Sequence, residues 1–65
     1  MKYTISGDCK TITIFKENGF YQIKEEENRY YIYRKYDGDD VLYYIESFDK
    51  LGQALQRVGI GYIGG

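Results

Sequence analysis

The sequence predicts an α+β fold: an antiparallel β-meander of four to five strands, then one C-terminal helix packed on one face (ββββα or βββββα). Three observations carry this. Short runs rich in Ile, Thr, Tyr and Phe are separated at regular intervals by the turn-forming pairs Gly7-Asp8, Asn18-Gly19, Glu27-Asn28 and Asp37-Gly38. Nine tyrosines and no proline favour extended chain that pairs without interruption. Beyond Ser47 the apolar spacing changes from two residues to three or four.

Taken in order, strands are expected near 2–6, 10–16, 20–26, 29–36 and 41–46, the first doubling as a bent start of the second. Consecutive strands joined by short turns give hairpins, and hairpins in series give a meander. A helix is expected over 48–58, because Phe48, Leu51, Leu55 and Val58 fall on one helical stripe with Ala54 beside them. Ser47 is the expected N-cap, since its hydroxyl can accept from a first-turn N–H. Asp49 suits the positive end of the helix dipole and Arg57 the negative end. Gly59 suits the positive φ that ends many helices. The Gly-rich tail, 59–65, carries Ile60, Tyr62 and Ile63, and reads equally as a short edge strand or as an unstructured end.

Side chains alternate faces along a strand. One face should carry Tyr3, Ile5, Ile12, Ile14, Tyr21, Ile23, Tyr30, Ile32, Tyr43 and Ile45, an apolar surface for the helix to cover. The other should carry Thr11, Thr13, Phe15, Phe20, Gln22, Lys24, Tyr31, Tyr33, Lys35, Leu42 and Tyr44. That second face is too aromatic for an idle solvent face and too polar for a core.

The 65 residues make one domain, 1–65. A chain this small buries only about 60% of the surface it exposes when unfolded, so its core is marginal and a staple is expected. Cys9 is the one cysteine and there is no histidine, which leaves neither an intrachain disulfide nor a structural zinc site. By elimination the expected staple is self-association, as a homodimer or larger oligomer. No apolar run approaches the ~18 residues of a membrane helix, and the opening Met1-Lys2-Tyr3-Thr4-Ile5-Ser6 turns polar at once. A reducing cytoplasm is therefore expected, that of a host cell if the gene belongs to a phage.

For function, the second face is the most informative feature. Tyr31, Tyr33 and Tyr44 would form an aromatic platform with Phe15 and Phe20 at its edge, bordered by Lys24, Arg29 and Lys35. Single-stranded nucleic acid is held by such surfaces, with bases stacked on rings and phosphates met by cations. A mixed aromatic face equally serves as a sheet-on-sheet or protein interface. The net charge of −1 announces neither a polyanion nor its mimic.

Other constellations carry less. Glu25-Glu26-Glu27 and Asp37-Gly38-Asp39-Asp40 read as solvated turns at opposite ends of the sheet and lack the calcium-loop pattern. Cys9 has no histidine to activate it and reads as a bystander thiol beside Lys10. No phosphate loop, G-x-S-x-G, C-x-x-C or H-E-x-x-H occurs. No cofactor, metal ligand set or catalytic residue is expected. A carboxylate-dependent nuclease or hydrolase is the one enzyme class the composition leaves open.

In its brevity, its Lys/Glu/Tyr/Ile-rich composition and an ending such as Ile45-Glu46-Ser47-Phe48-Asp49-Lys50-Leu51-Gly52-Gln53-Ala54-Leu55, the chain resembles small orphan proteins of phages and mobile elements, including anti-CRISPR and other anti-defence proteins. That resemblance implies stoichiometric contact with a host macromolecule rather than turnover. The four-strand-plus-helix order, with Tyr31, Tyr33 and Lys35, resembles the PC4-like single-stranded-DNA binders, which implies a dimer and a nucleic-acid-binding sheet. Gly64-Gly65 resembles the end of ubiquitin-like and sulfur-carrier proteins, but their β-grasp order places the helix between strands, and here it follows them. The leading expectation is a non-enzymatic, inhibitor-like binding protein. Single-stranded nucleic-acid binding and a self-assembling structural role are the alternatives.

Overall fold

The computed structural model describes residues 2–59. Five strands run in chain order, β1 (Lys2–Ile5), β2 (Thr11–Lys16), β3 (Gly19–Glu26), β4 (Arg29–Tyr36) and β5 (Tyr43–Phe48), followed by α1 (Leu51–Arg57). Every neighbouring pair is antiparallel and the spatial order is β1-β2-β3-β4-β5, so the sheet is a plain meander with a separate first strand. No helix is long and apolar enough to cross a membrane among the described residues. The readings made for the tail beyond Gly59 lie outside them.

Two of the turns show why the chain reverses where it does. Glu27 and Asn28 adopt φ of 51° and 66°, the pair of positive values a two-residue primed hairpin needs. Between β2 and β3 the turn residues are Glu17 and Asn18, and Gly19 opens β3 with φ 140°. A Cβ at Gly19 would lie 2.0 Å from the Lys35 carbonyl oxygen, so only glycine lets β3 start this close to the end of β4.

The register sets two faces. On one, Tyr3, Ile14, Tyr21, Arg34 and Tyr43 lie in a cross-strand row, and Ile5, Ile12, Ile23, Ile32 and Glu46 in the next. The core is Ile14, Ile23 and Ile32 from this face with Ala54 and Val58 from α1, flanked by Ile12, Tyr21, Tyr30, Ile45, Phe48, Leu51 and Leu55. A seven-residue helix is far too short to persist alone, so this packing is what holds it.

The helix differs from the expected 48–58 at its start. Phe48 belongs to β5, opposite Tyr30, and the chain stays extended until a bend at 49–50. Lys50 occupies the N-cap position with no side-chain cap, and the first turn holds no acidic residue, so neither Ser47 nor Asp49 has the expected role. Burying the Phe48 ring and pairing its backbone outweighs the ~1 kcal/mol that a serine cap supplies. The end is as expected: Arg57 lies in the last turn and Gly59 follows with φ 84°, its N–H donating to the Gln56 carbonyl.

A register shift between Ile32 and Tyr33 explains the displaced boundary. Ile32 faces Glu46 and Tyr33 faces Tyr44, which leaves Ile45 as an extra, unpaired residue, a β-bulge. Two core residues of β5, Ile45 and Phe48, therefore stand three apart, as they would in a helix.

The helix also covers less than expected. It packs against β4 and β5 and reaches the core isoleucines, but Tyr3 and Ile5, on the correct face, remain 57% and 53% exposed. One short helix is too narrow for a five-stranded sheet.

Candidate functional site

The face opposite the helix is built in three cross-strand rows. Thr11, Lys24, Tyr31 and Ser47 form the first; Thr4, Thr13, Gln22, Tyr33 and Tyr44 the second; Lys2, Phe15, Phe20 and Lys35 the third. Rows alternate with the core rows on the other side, so each open row lies about 7 Å from the next, two residues of strand. Arg29 and Glu26 face each other beyond the first row.

All eight residues singled out from the sequence, Phe15, Phe20, Lys24, Arg29, Tyr31, Tyr33, Lys35 and Tyr44, therefore share this face. They form two aromatic groups. Tyr44 meets Tyr33 edge-to-face at 5.8 Å between centroids and Tyr31 at 6.3 Å in a tilted arrangement. Phe15 and Phe20 meet edge-to-face at 6.2 Å. Such geometries keep neighbouring rings locked while leaving part of each face open. Tyr44 is 56% exposed, Phe15 44%, and Tyr31, Tyr33 and Phe20 are half-buried by their neighbours.

The cations are placed over these rings. The Lys24 ammonium lies 5.3 Å from the Tyr33 centroid and that of Lys35 5.9 Å from the Phe20 centroid. Arg29 donates from Nη2 to the Ser47 hydroxyl at 2.9 Å, which holds its guanidinium at the rim. Gln22 donates to the Thr13 hydroxyl across the central row at 3.1 Å. Leu42 precedes β5 and is no part of the ladder.

Three residues matter that the sequence reading did not assign to the positions they hold. Lys2 joins the third row through its pairing with Phe15. Ser47 reaches the open face only because of the bulge at Ile45. Arg34 lies on the helix face, in the row of Ile14 and Tyr21, with 7% of its surface exposed. The signal for Arg34 was present, since strict alternation from Tyr30 and Ile32 runs straight on to it.

Lys2, Lys24, Arg29 and Lys35 give the open face four cations against the single carboxylate of Glu26. The remaining acids lie in turns or toward the helix, as with Glu46, which accepts from Arg57 Nε and so raises the pKa of that guanidinium. A chain of net charge −1 thus has a distinctly positive aromatic face. Elsewhere Tyr43 donates to Asp39 at 2.9 Å, and that bond, with the nearby negative charge, raises the phenol pKa. Cys9 is exposed in the β1–β2 turn at φ 62°.

No protein-family model, no curated protein and no solved structure matches this chain, so its fold and its faces are the observations that bear on its role.

Proposed function

We propose that the protein is a non-enzymatic binding module that acts by stoichiometric contact through its open sheet face, with single-stranded nucleic acid as the partner. The observation that carries this reading is the grouping of four cations and five aromatic rings, Phe15, Phe20, Tyr31, Tyr33 and Tyr44, against one carboxylate. Rings accept stacked bases of any sequence, at about 1–3 kcal/mol each, and the bordering cations meet the phosphates. Occupying a host effector or its nucleic acid without turnover is also what the resemblance to anti-defence proteins implies.

The test is a titration of a labelled single-stranded oligonucleotide at several salt concentrations. Four phosphate contacts predict a slope of log K against log salt of about −3. Exchanging Tyr31 and Tyr33 together for Ser should weaken binding by at least ten-fold, as expected for the loss of two stacking rings. Absence of binding at low salt would remove nucleic acid as the partner and leave a protein surface, where exposed Tyr and Arg are the usual hot spots.

Self-association is a second reading, favoured by a separate observation. β1 is an edge of the sheet, and its Tyr3 and Ile5 stand exposed beside Ile12, Leu51 and Leu55 around an apolar groove. A second copy seated there would supply the core that one short helix does not. Light scattering decides it: a strict monomer at high concentration rejects the oligomer.

A further inference from the structure

Arg34 is the one charged residue buried among the described residues, and no carboxylate pairs with it. Its guanidinium carbon lies 4.8 Å from the Tyr21 centroid and 4.3 Å from that of Tyr36, within cation–π distance of both rings. Nη1 donates to the carbonyls of Phe20 at 3.1 Å and Lys35 at 2.9 Å. Those two bonds use Nη1 alone. No buried side-chain nitrogen lacks a partner among the described residues, so the Nε and Nη2 edge, which has none, reaches solvent.

Arg34 lines a cleft of about 430 Å³ between the β2–β3 turn and the end of α1. Lys16 and Arg57 line the cleft with Arg34 and Tyr21, and the Lys16 ammonium lies 5.9 Å from the Tyr21 centroid. Glu17 at the rim is the one carboxylate in the lining. Glu46 takes up part of the Arg57 charge from outside it. A held cation with a free pair of parallel donors, flanked by two more cations, is the arrangement that grips a tetrahedral or planar oxyanion bidentately.

We propose that this cleft, on the face opposite the aromatic platform, binds a phosphate group, with the Arg34 fork as its principal donor and Lys16 and Arg57 completing the charge. The phosphate is either free inorganic phosphate or the terminal phosphomonoester of a nucleotide. The cation–π contacts and the two carbonyls position the fork in advance, so binding costs little side-chain ordering.

The experiment follows the arginine Nε–H resonances of the full chain by NMR while inorganic phosphate or AMP replaces chloride at fixed ionic strength, or neutral adenosine is added at the same ionic strength. Saturable movement of the Arg34 signal, with Tyr21 ring signals moving alongside, is expected with phosphate and AMP and absent with adenosine. Equal affinities for the first two identify free phosphate as the ligand, and tighter binding of AMP identifies a phosphomonoester. Arg34→Lys risks the fold, because Nη1 joins two strands, so the surface variants carry the test. Lys16→Gln and Arg57→Gln should each weaken binding by roughly three- to ten-fold, the range expected for losing one charge-assisted contact at a partly exposed site. Glu46→Gln should strengthen it about two-fold by freeing Arg57. A linear, non-saturating response, an equal response to adenosine, or affinity unchanged in both Gln variants overturns the proposal. Tyr31→Ser/Tyr33→Ser should leave the phosphate response unchanged, which separates this site from the open face.

Discussion

On the helix side of the sheet, Ile14, Ile23 and Ile32 from two neighbouring rows are sealed by Ala54 and Val58, and the row of Ile14 contains the buried Arg34. On the other side, Tyr33 and Tyr44 occupy the row between the two isoleucine rows, and among the described residues no helix or strand covers them, only the Lys24 side chain reaching over the Tyr33 ring. Both sides belong to the same strands, two residues apart in period, yet one holds the fold together and the other is free to be used. The comparison teaches that the tyrosine count of this chain is larger than its core needs. The core closes on three isoleucines with Ala54 and Val58, and much of the aromatic surface lies outside it.

Truncating the core should produce the largest effect. Ile32→Ala removes a fully buried side chain and is expected to cost about 2–5 kcal/mol, most of the stability of a domain this size, as a collapse of the urea midpoint. Tyr31→Ser with Tyr33→Ser should cost clearly less in stability while weakening partner binding by at least ten-fold. If the two variants unfold equally, the open face is a second core and the contrast between the sides fails.

Gly19→Ala comes next, at about 1–3 kcal/mol by thermal unfolding, because the new methyl would collide with the Lys35 carbonyl behind Phe20. It should disturb both sides together, since that carbonyl also receives Arg34.

A gain is expected at the β3–β4 turn. Glu27→Asn with Asn28→Gly suits the positive φ of both positions and should add about 1 kcal/mol without touching either face. A loss of binding there would mean that the turn, not the face, carries the contact.

The smallest effect is a pH dependence in the β1–β2 turn. Asp8 has its pKa lowered, first by the Ser6 hydroxyl and then by the Lys10 N–H, both of which donate to its carboxylate. A depressed folded pKa gives stability that is fully present above the ordinary value of 3.8 and is lost as pH falls through the folded one. The protection of the Lys10 and Thr11 amides, taken relative to their intrinsic exchange rates, should therefore fall below about pH 4 while the helix-side core amides stay protected, and Asp8→Asn should remove that pH dependence.

Much of this was readable from residue order. Turn pairs placed the hairpins, and alternation from Thr11 to Tyr36 assigned both faces, because no strand there departs from period two. Reading failed where period two failed. Phe48 stands three residues before Leu51, and that spacing, continued by Leu55 and Val58, imitates a helical turn, whereas the bulge at Ile45 keeps Phe48 in the strand and on the core face. Ser47 was consequently given to a cap when it belongs beside Tyr31. Arg34 was passed over for a different reason: a charge is not expected on a core face, and what makes it tolerable there, two rings and two carbonyls, comes from strand neighbours that only the register reveals.

The unpaired Ile45 gives β5 an uneven tolerance to changes in length. Tyr44 and Glu46 already have their partners on either side of it, so a chain lacking that single codon could close into an unbroken ladder with Tyr43, Tyr44, Ser47 and Phe48 all pointing as before. Its loss would cost the packing of one half-buried side chain. An added residue a few positions later would have no slack to absorb it. It would turn the end of the strand over and send the following helix toward the tyrosines, covering the surface that the rest of the molecule keeps clear.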